Sequence, residues 1–206
     1  WELNSAGAGA GYGSEQTNTL SDGCAVTLNL SSVKFWNEDQ PTGTTWTNSV
    51  ALGEMNATLG TSLITDDLSG MTYIASAAGG ASAPLTFNFV NNSTGYKIGD
   101  SVVFYIAAVS PAVSYTSLTI TGLSNTDVQW ATNGGNGFTE SGSFAQGTIG
   151  LIKVTGTLSE RSVVLANTEG RNGWGMVAYT IVPEPTTATL SLLALAGLCS
   201  RRRRRK

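Results

Sequence analysis

Histidine is absent from all 206 residues. That removes Ser-His-Asp and Cys-His catalysis in their usual forms, along with imidazole metal sites. Cysteine occurs twice, at Cys24 and Cys199, too few for a thiolate zinc site. Cys199 falls in an apolar run near the C-terminus that reads as a membrane helix, and inserted or removed it could not pair with Cys24, so no disulfide between them is expected. Cys24 reads as a small buried apolar residue rather than a reactive thiol. Basic residues are scarce before residue 183. Lys34, Lys97, Lys153, Arg161 and Arg171 stand against thirteen Asp and Glu, a formal charge of −8. The whole-chain value of −3 hides this, because six cations close the sequence. So acidic a region argues against nucleic-acid phosphates and anionic lipid head groups as partners. No G-x-S-x-G, Walker A or dinucleotide-binding glycine pattern occurs.

Thr, Ser, Asn and Gly dominate instead, a composition that favours strands and turns over helices. Residues 1–23 carry the run Ala6-Gly7-Ala8-Gly9-Ala10-Gly11 and read as a flexible leader or a loosely held first strand. From Ala25 the apolar period becomes two: Val26, Leu28 and Leu30 alternate with polar residues, followed by Val33 and Phe35. Similar runs recur at 58–65, 71–76, 85–90, 101–109, 116–121, 148–155, 162–166 and 175–182, with shorter candidates at 48–52 and 127–131. The run 101–109 is apolar almost throughout, as a central strand buried on both faces would be. Turn chemistry separates the runs, as in Asn91–Gly95, Asn133–Gly137 and Gly170–Gly173. Before residue 186 no amphipathic helix is predicted, and Gly60 with its Thr-rich flanks argues against one over 51–64.

These runs predict an all-β fold, a two-layer antiparallel β-sandwich of jelly-roll-like topology over 24–182. The region exceeds a single immunoglobulin domain of about 100 residues and lacks its Cys–Trp–Cys pattern. Two tandem small sandwiches divided near 91–100 are the alternative, with no internal repeat to favour them.

Three constellations carry candidate chemistry. Glu38-Asp39 and Asp66-Asp67 are adjacent carboxylates in turn-like surroundings. Neighbours on a strand point to opposite faces, so neither is a glycosidase pair by adjacency. The E-x-D-x-x-E pattern of laminarinase-like sandwich hydrolases is also missing. Asp66, Asp67 and Asp100 would suit a structural calcium ion, without the D-x-D-x-D-G loop; no other cofactor is expected. Trp36, Trp46, Trp130 and Trp174 flank polar loops. Trp130 with Asn133 and Asn136, and Trp174 after Arg171-Asn172-Gly173, are the glycan-binding candidates: a ring face to stack on a sugar, amides for its hydroxyls. Sequons at Asn29, Asn56, Asn91 and Asn92 are common strings in so Asn- and Thr-rich a chain.

The C-terminal block is more specific. Residues 186–200 are uncharged and rich in Ala and Leu, a predicted helix of about 22 Å at ~1.5 Å per residue. A hydrocarbon core is about 30 Å thick, so the span is marginal and suits a transient anchor. Arg201, Arg202, Arg203, Arg204, Arg205 and Lys206 follow, and the positive-inside rule places them on the cytoplasmic side. Val182-Pro183-Glu184-Pro185, the short apolar helix and the basic end, in this order, resemble a PEP-CTERM sorting signal, a signal of Gram-negative bacteria read by the membrane-embedded enzyme exosortase. The resemblance is confined to 182–206. It implies Pro183, Glu184 and Pro185 as recognition residues, the basic cluster as a stop, transient passage through the inner membrane, and delivery to the cell surface or extracellular matrix. A chain so sorted has been exported; because it starts at Trp1 without an export segment, a precursor trimmed of its signal peptide is expected. The signal leaves the passenger's activity open. We expect a non-enzymatic structural or adhesive ectodomain among extracellular polysaccharides. A lectin-like carbohydrate-binding module is the alternative, and a polysaccharide-active enzyme using Asp and Glu the second.

Overall fold

The computed structural model describes residues 15–20, 23–29, 33–34, 46–60, 74–76, 84–89, 96–110, 118–140, 144, 148–166 and 173–182. They form eleven strands and one helix. In chain order these are β1 (Glu15–Thr19), β2 (Ala25–Asn29), β3 (Val33–Lys34), α1 (Ser49–Leu59), β4 (Ile74–Ser76), β5 (Leu85–Asn88), β6 (Ser101–Ser110), β7 (Thr119–Thr121), β8 (Leu123–Thr132), β9 (Thr148–Leu158), β10 (Ser162–Ala166) and β11 (Gly173–Val182).

Two antiparallel sheets result, ordered β1-β2-β5-β10-β7 and β3-β4-β11-β6-β9-β8. The pairing is concentric. β4 pairs with β11, β5 with β10 and β6 with β9, as if 74–182 were one long hairpin rolled up, with β7 and β8 at its tip. At that tip Gly122 carries the chain from one sheet to the other at φ +83°, and a Cβ there would stand 1.9 Å from the Ser162 carbonyl oxygen. Only glycine fits both constraints.

β6 is the central strand, and its alternation is apolar on both faces. Val102, Phe104, Ile106 and Ala108 join the core between the sheets, where Val26, Leu85, Phe87, Val163 and Leu165 enter from the five-stranded sheet. Cys24 is fully buried there as well. Tyr105 and Ala107 face the other way, into a second core under α1 with Trp46, Ala51, Leu52, Met55 and Leu151. The long apolar run of β6 has its cause here: one face is covered by a sheet, the other by a helix.

That helix is the main departure from the sequence reading, which predicted strands at 48–52 and 58–65 and no helix. Residues 61–65 lie outside the described residues, but 49–59 are helical. Asn48 is the N-cap, its side-chain oxygen accepting from the Ala51 N–H, and Gly60 is the left-handed C-cap at φ 65°. Gly60, taken as an argument against a helix, is where this one stops. The amphipathic signal is weak because small Ala51 does part of the burying while Val50 is 53% exposed and Gly53 occupies the middle. A stripe at 51, 55 and 59 with Leu52 alongside suffices for one-sided packing.

Elsewhere the expectations hold well. The run 162–166 is β10, 101–109 lies within β6, 148–155 opens β9, and 127–131 lies within β8. β1 falls in the predicted leader and is a strand, paired with β2 from Glu15 opposite Asn29. Among the described residues, no helix is long and apolar enough to cross a membrane; the predicted span 186–200 lies outside them.

Candidate functional site

The loop after β8 was the first glycan-binding candidate, and its geometry is that of a structural clasp. Trp130 points between the sheets, while Ala131 beside it faces the opposite way, into the core under α1. Trp130 is 7% exposed, with its ring 5.3 Å from Phe144 in an edge-on contact. Such a ring has no open face for a sugar, which corrects the reading of Trp130 as a stacking platform. Its backbone exchanges two hydrogen bonds with Thr139 (2.8 and 2.9 Å), closing the loop. Asn133 Oδ1 accepts from the Thr47 N–H at 2.8 Å and the Thr47 hydroxyl at 2.9 Å, which commits this oxygen to the segment entering α1. Asn136 is exposed and stands apart from this network.

The centre of the clasp is Asn48, 1% exposed. Its Oδ1 accepts from Ala51 N–H (3.1 Å) and Gly137 N–H (2.9 Å); its Nδ2 donates to the carbonyls of Thr132 (3.1 Å) and Gly137 (3.2 Å). Both capacities of the amide are used, as burial requires. Trp46 adds an indole N–H to the Asn48 carbonyl at 2.9 Å. The Asn/Gly-rich loop is therefore held by the cap of α1.

Trp174 lies in β11 beside Ala108 of β6 and Ile74 of β4. Trp36, Asp66, Asp67, Pro183, Glu184, Pro185 and Arg201–Lys206 lie outside the described residues. Asp100, the third calcium candidate, is 4% exposed, and its carboxylate accepts from the Lys97 N–H at 2.8 Å, locking a turn. Among the described residues, no three His, Cys, Asp or Glu come together as a metal site.

A polar cluster joins α1 to β6 and β9. The buried Tyr105 hydroxyl donates to Thr58 Oγ1 at 3.0 Å, and Lys153 pairs with Glu54 at 2.6 Å, its ammonium 5.8 Å from the Phe138 ring centre. Burial pushes the Tyr105 phenol above its ordinary range, partly offset by the Thr58 hydroxyl and the Lys153 charge.

An open cleft lies at one end of the sandwich, and sequence reading did not single it out. It measures ≈300 Å³ and is lined by Phe89, Tyr96, Ile98 and Leu158, with the charged residues Lys97, Glu160 and Arg161. Its frame is rigid. The Asp100 N–H donates to the Lys97 carbonyl (3.1 Å), Gly99 donates to Leu158, and Leu158 donates back to Asp100, each at 2.9 Å. Arg161's carbonyl accepts from Phe89 N–H at 2.8 Å, and the Gly122 carbonyl accepts from Ser159 and Glu160. Aromatic contacts lead from the core to this cleft: Phe104 to Phe87 at 4.9 Å, Phe87 to Tyr179 at 5.8 Å, Tyr179 to Phe89 at 5.6 Å and Phe89 to Tyr96 at 5.8 Å. Ile98, 61% exposed, leaves apolar surface at the mouth.

The electrostatics are unusual for so acidic a region. Three basic side chains are described: Lys153 is paired with Glu54, and the other two, Lys97 and Arg161, both line this cleft without an ion pair among the described residues. They are far apart in sequence, and the fold alone brings them together. The cleft thus combines aromatic and aliphatic surface with two cations and one carboxylate, Glu160. No protein-family model, curated protein or solved structure matches the chain.

Proposed function

We propose that this chain is an exported protein of the Gram-negative cell surface or extracellular matrix. Its Pro183-Glu184-Pro185 motif, the apolar helix 186–200 and the basic stop Arg201–Lys206 would be processed by an exosortase during a transient stay in the inner membrane. The observation that carries this reading is the order of the three parts in 182–206. Val182 closes β11, the last described strand, and the motif follows it in sequence. A sorting enzyme needs its recognition residues outside the hydrogen-bonded ladder, and Pro183, with no N–H, cannot extend one.

The passenger is, on this proposal, a non-catalytic structural or adhesive domain of jelly-roll type. Support for that topology comes from the concentric pairs β4–β11, β5–β10 and β6–β9, which alternate between the sheets as in a rolled hairpin. β8 departs from the simplest roll by pairing with β9 rather than β7. The domain acts through surface and rigidity, with extracellular polysaccharide as its surroundings.

Replacing Pro183, Glu184 and Pro185 by alanine in the host tests the sorting step. An uncleaved, membrane-retained chain is expected. Unchanged processing and surface display would remove the reading.

A further inference from the structure

We propose that the cleft at the end of the sandwich binds a carboxylated sugar, one uronic-acid residue of an acidic polysaccharide. Lys97 and Arg161 take its carboxylate, Glu160 its hydroxyls, and Tyr96 with Ile98 its C–H face. The fold places these charges without using them. Among the described residues, the hydrogen bonds of Lys97, Glu160 and Arg161 run through the backbone. The Lys97 N–H donates to the Asp100 carboxylate at 2.8 Å, and the Lys97 carbonyl accepts from Asp100 at 3.1 Å. The Glu160 N–H donates to the Gly122 carbonyl at 3.3 Å, and the Arg161 carbonyl accepts from Phe89 at 2.8 Å. No ion pair joins the three side chains among the described residues. All three residues are exposed, yet all line one cleft. Backbone bonds bring them there: Gly99 and Asp100 are tied to Leu158, which sets the turn before β6 against the end of β9.

Together the three charges specify a ligand that is an anion and a hydrogen-bond donor at once. An ammonium and a guanidinium favour a carboxylate, which Arg can take through two parallel N–H bonds. An ionised Glu160 only accepts. Beside a bare anion it repels; beside O–H groups it is a strong partner. A uronic-acid ring carries both, a carboxylate and a set of hydroxyls. Fatty acids lack the donors, neutral sugars lack the charge, and phosphates set more negative charge against Glu160. Apolar surface suits the ring's C–H face. Tyr96 is part-exposed and held edge-on to Phe89 with ring centres 5.8 Å apart, and Ile98 is 61% exposed. A volume of ≈300 Å³ is at the small end for a ligand site and suits a single sugar residue.

The region before residue 183 carries a formal charge of −8, which disfavours a polyanion at long range. At physiological ionic strength the screening length is about 8 Å, so contact pairs in the cleft outlast that repulsion. One sugar residue in so small a site binds in about the millimolar range. Many copies on a surface, engaging one polymer with repeated uronates, raise this by avidity. That consequence rests on the reading of the domain as an adhesive one among extracellular polysaccharides, and it narrows the polysaccharide to an acidic one.

Calorimetric titration of the full chain in detergent micelles is the test. The probes are tetrasaccharides of glucuronate, galacturonate and mannuronate, each beside its carboxyl-reduced neutral counterpart. Saturable binding of at least one acidic probe is expected, and none of the neutral ones. Affinity should fall about tenfold in Arg161→Gln and in Lys97→Gln, each losing a charge-assisted contact. Lys153→Gln makes the same change in net charge outside the cleft lining and should leave affinity unchanged. Glu160→Ala should weaken binding although it removes a negative charge. Because the frame uses backbone atoms, the cleft variants should keep the parent's thermal midpoint, which separates lost contacts from lost folding. No saturable binding of any acidic probe, equal binding of a neutral one, octanoate bound as tightly, an equal loss in Lys153→Gln, or tighter binding in Glu160→Ala would each overturn the site. Sorting is read separately by the alanine replacement in the host, so the site and the sorting motif fail independently.

Discussion

Replacing Asn48 by alanine removes four hydrogen bonds at a site that is 1% exposed. Loss of the N-cap alone costs about 1 kcal/mol. The Gly137 N–H and the Thr132 and Gly137 carbonyls are then left at a buried site, and each group that fails to find water costs about 1–3 kcal/mol. With one of them remaining unsatisfied after relaxation, the expected loss is about 3 kcal/mol, a large share of a domain stability of roughly 5–15 kcal/mol. Two further substitutions separate the contributions. Asn48→Ser keeps the cap and abandons the loop, so it should recover about 1 kcal/mol of that loss. Asn48→Asp keeps an acceptor for both N–H groups but turns a carboxylate oxygen toward two carbonyls, and should be at least as harmful as alanine. Urea denaturation followed by tryptophan fluorescence gives the differences as shifts in midpoint at constant slope. A loss below about 0.5 kcal/mol for Asn48→Ala, the range of an ordinary surface substitution, would refute the description of this loop as a clasp held by the helix cap.

Gly122→Ala should destabilise by several kcal/mol or prevent folding, since it sets a Cβ 1.9 Å from backbone at a positive φ; soluble yield and thermal midpoint measure this. Gly150→Ala should displace Phe144, whose ring atoms stand 1.9 Å from the added carbon, and cost about 1–3 kcal/mol by overpacking, visible as altered Trp130 fluorescence. Tyr105 has a folded pKa above its unfolded value of about 10, so its contribution is complete below pH 10 and is lost as pH rises through the folded value. Urea titrations between pH 9 and 11 should show a falling stability that is shallower in Tyr105→Phe; identical slopes would contradict the burial argument. Glu54→Gln should cost less than about 1 kcal/mol, because the pair with Lys153 is partly solvated (Glu54 side chain 40% exposed).

Strands whose environment is simple were legible in the sequence. β10 alternates Val163 and Leu165 inward with Ser162, Val164 and Ala166 less buried, and its bounds match the period-two run residue for residue. β6 was legible as a doubly buried strand, though not what buries it. α1 was missed for a physical reason: its stability resides in tertiary contacts of Ala51, Leu52 and Met55 and in the Asn48 and Gly60 caps rather than in a broad apolar stripe. The caps were in the sequence to be read; read together, Asn48 and Gly60 bracket the element. Trp130 misled because a tryptophan beside an Asn/Gly loop resembles a sugar platform, while the parity of β8 decides its face. The cleft was not legible, since Lys97 and Arg161 converge only through the rolled pairing of β6, β9 and β10.

The mass of the chain recovered from the host's surface fraction bears most directly on the central claim. A mature form that ends near Pro183–Pro185 and lacks the residues through Lys206 is expected, with the full-length chain confined to membranes. A surface-displayed chain still carrying Arg201–Lys206 would contradict it.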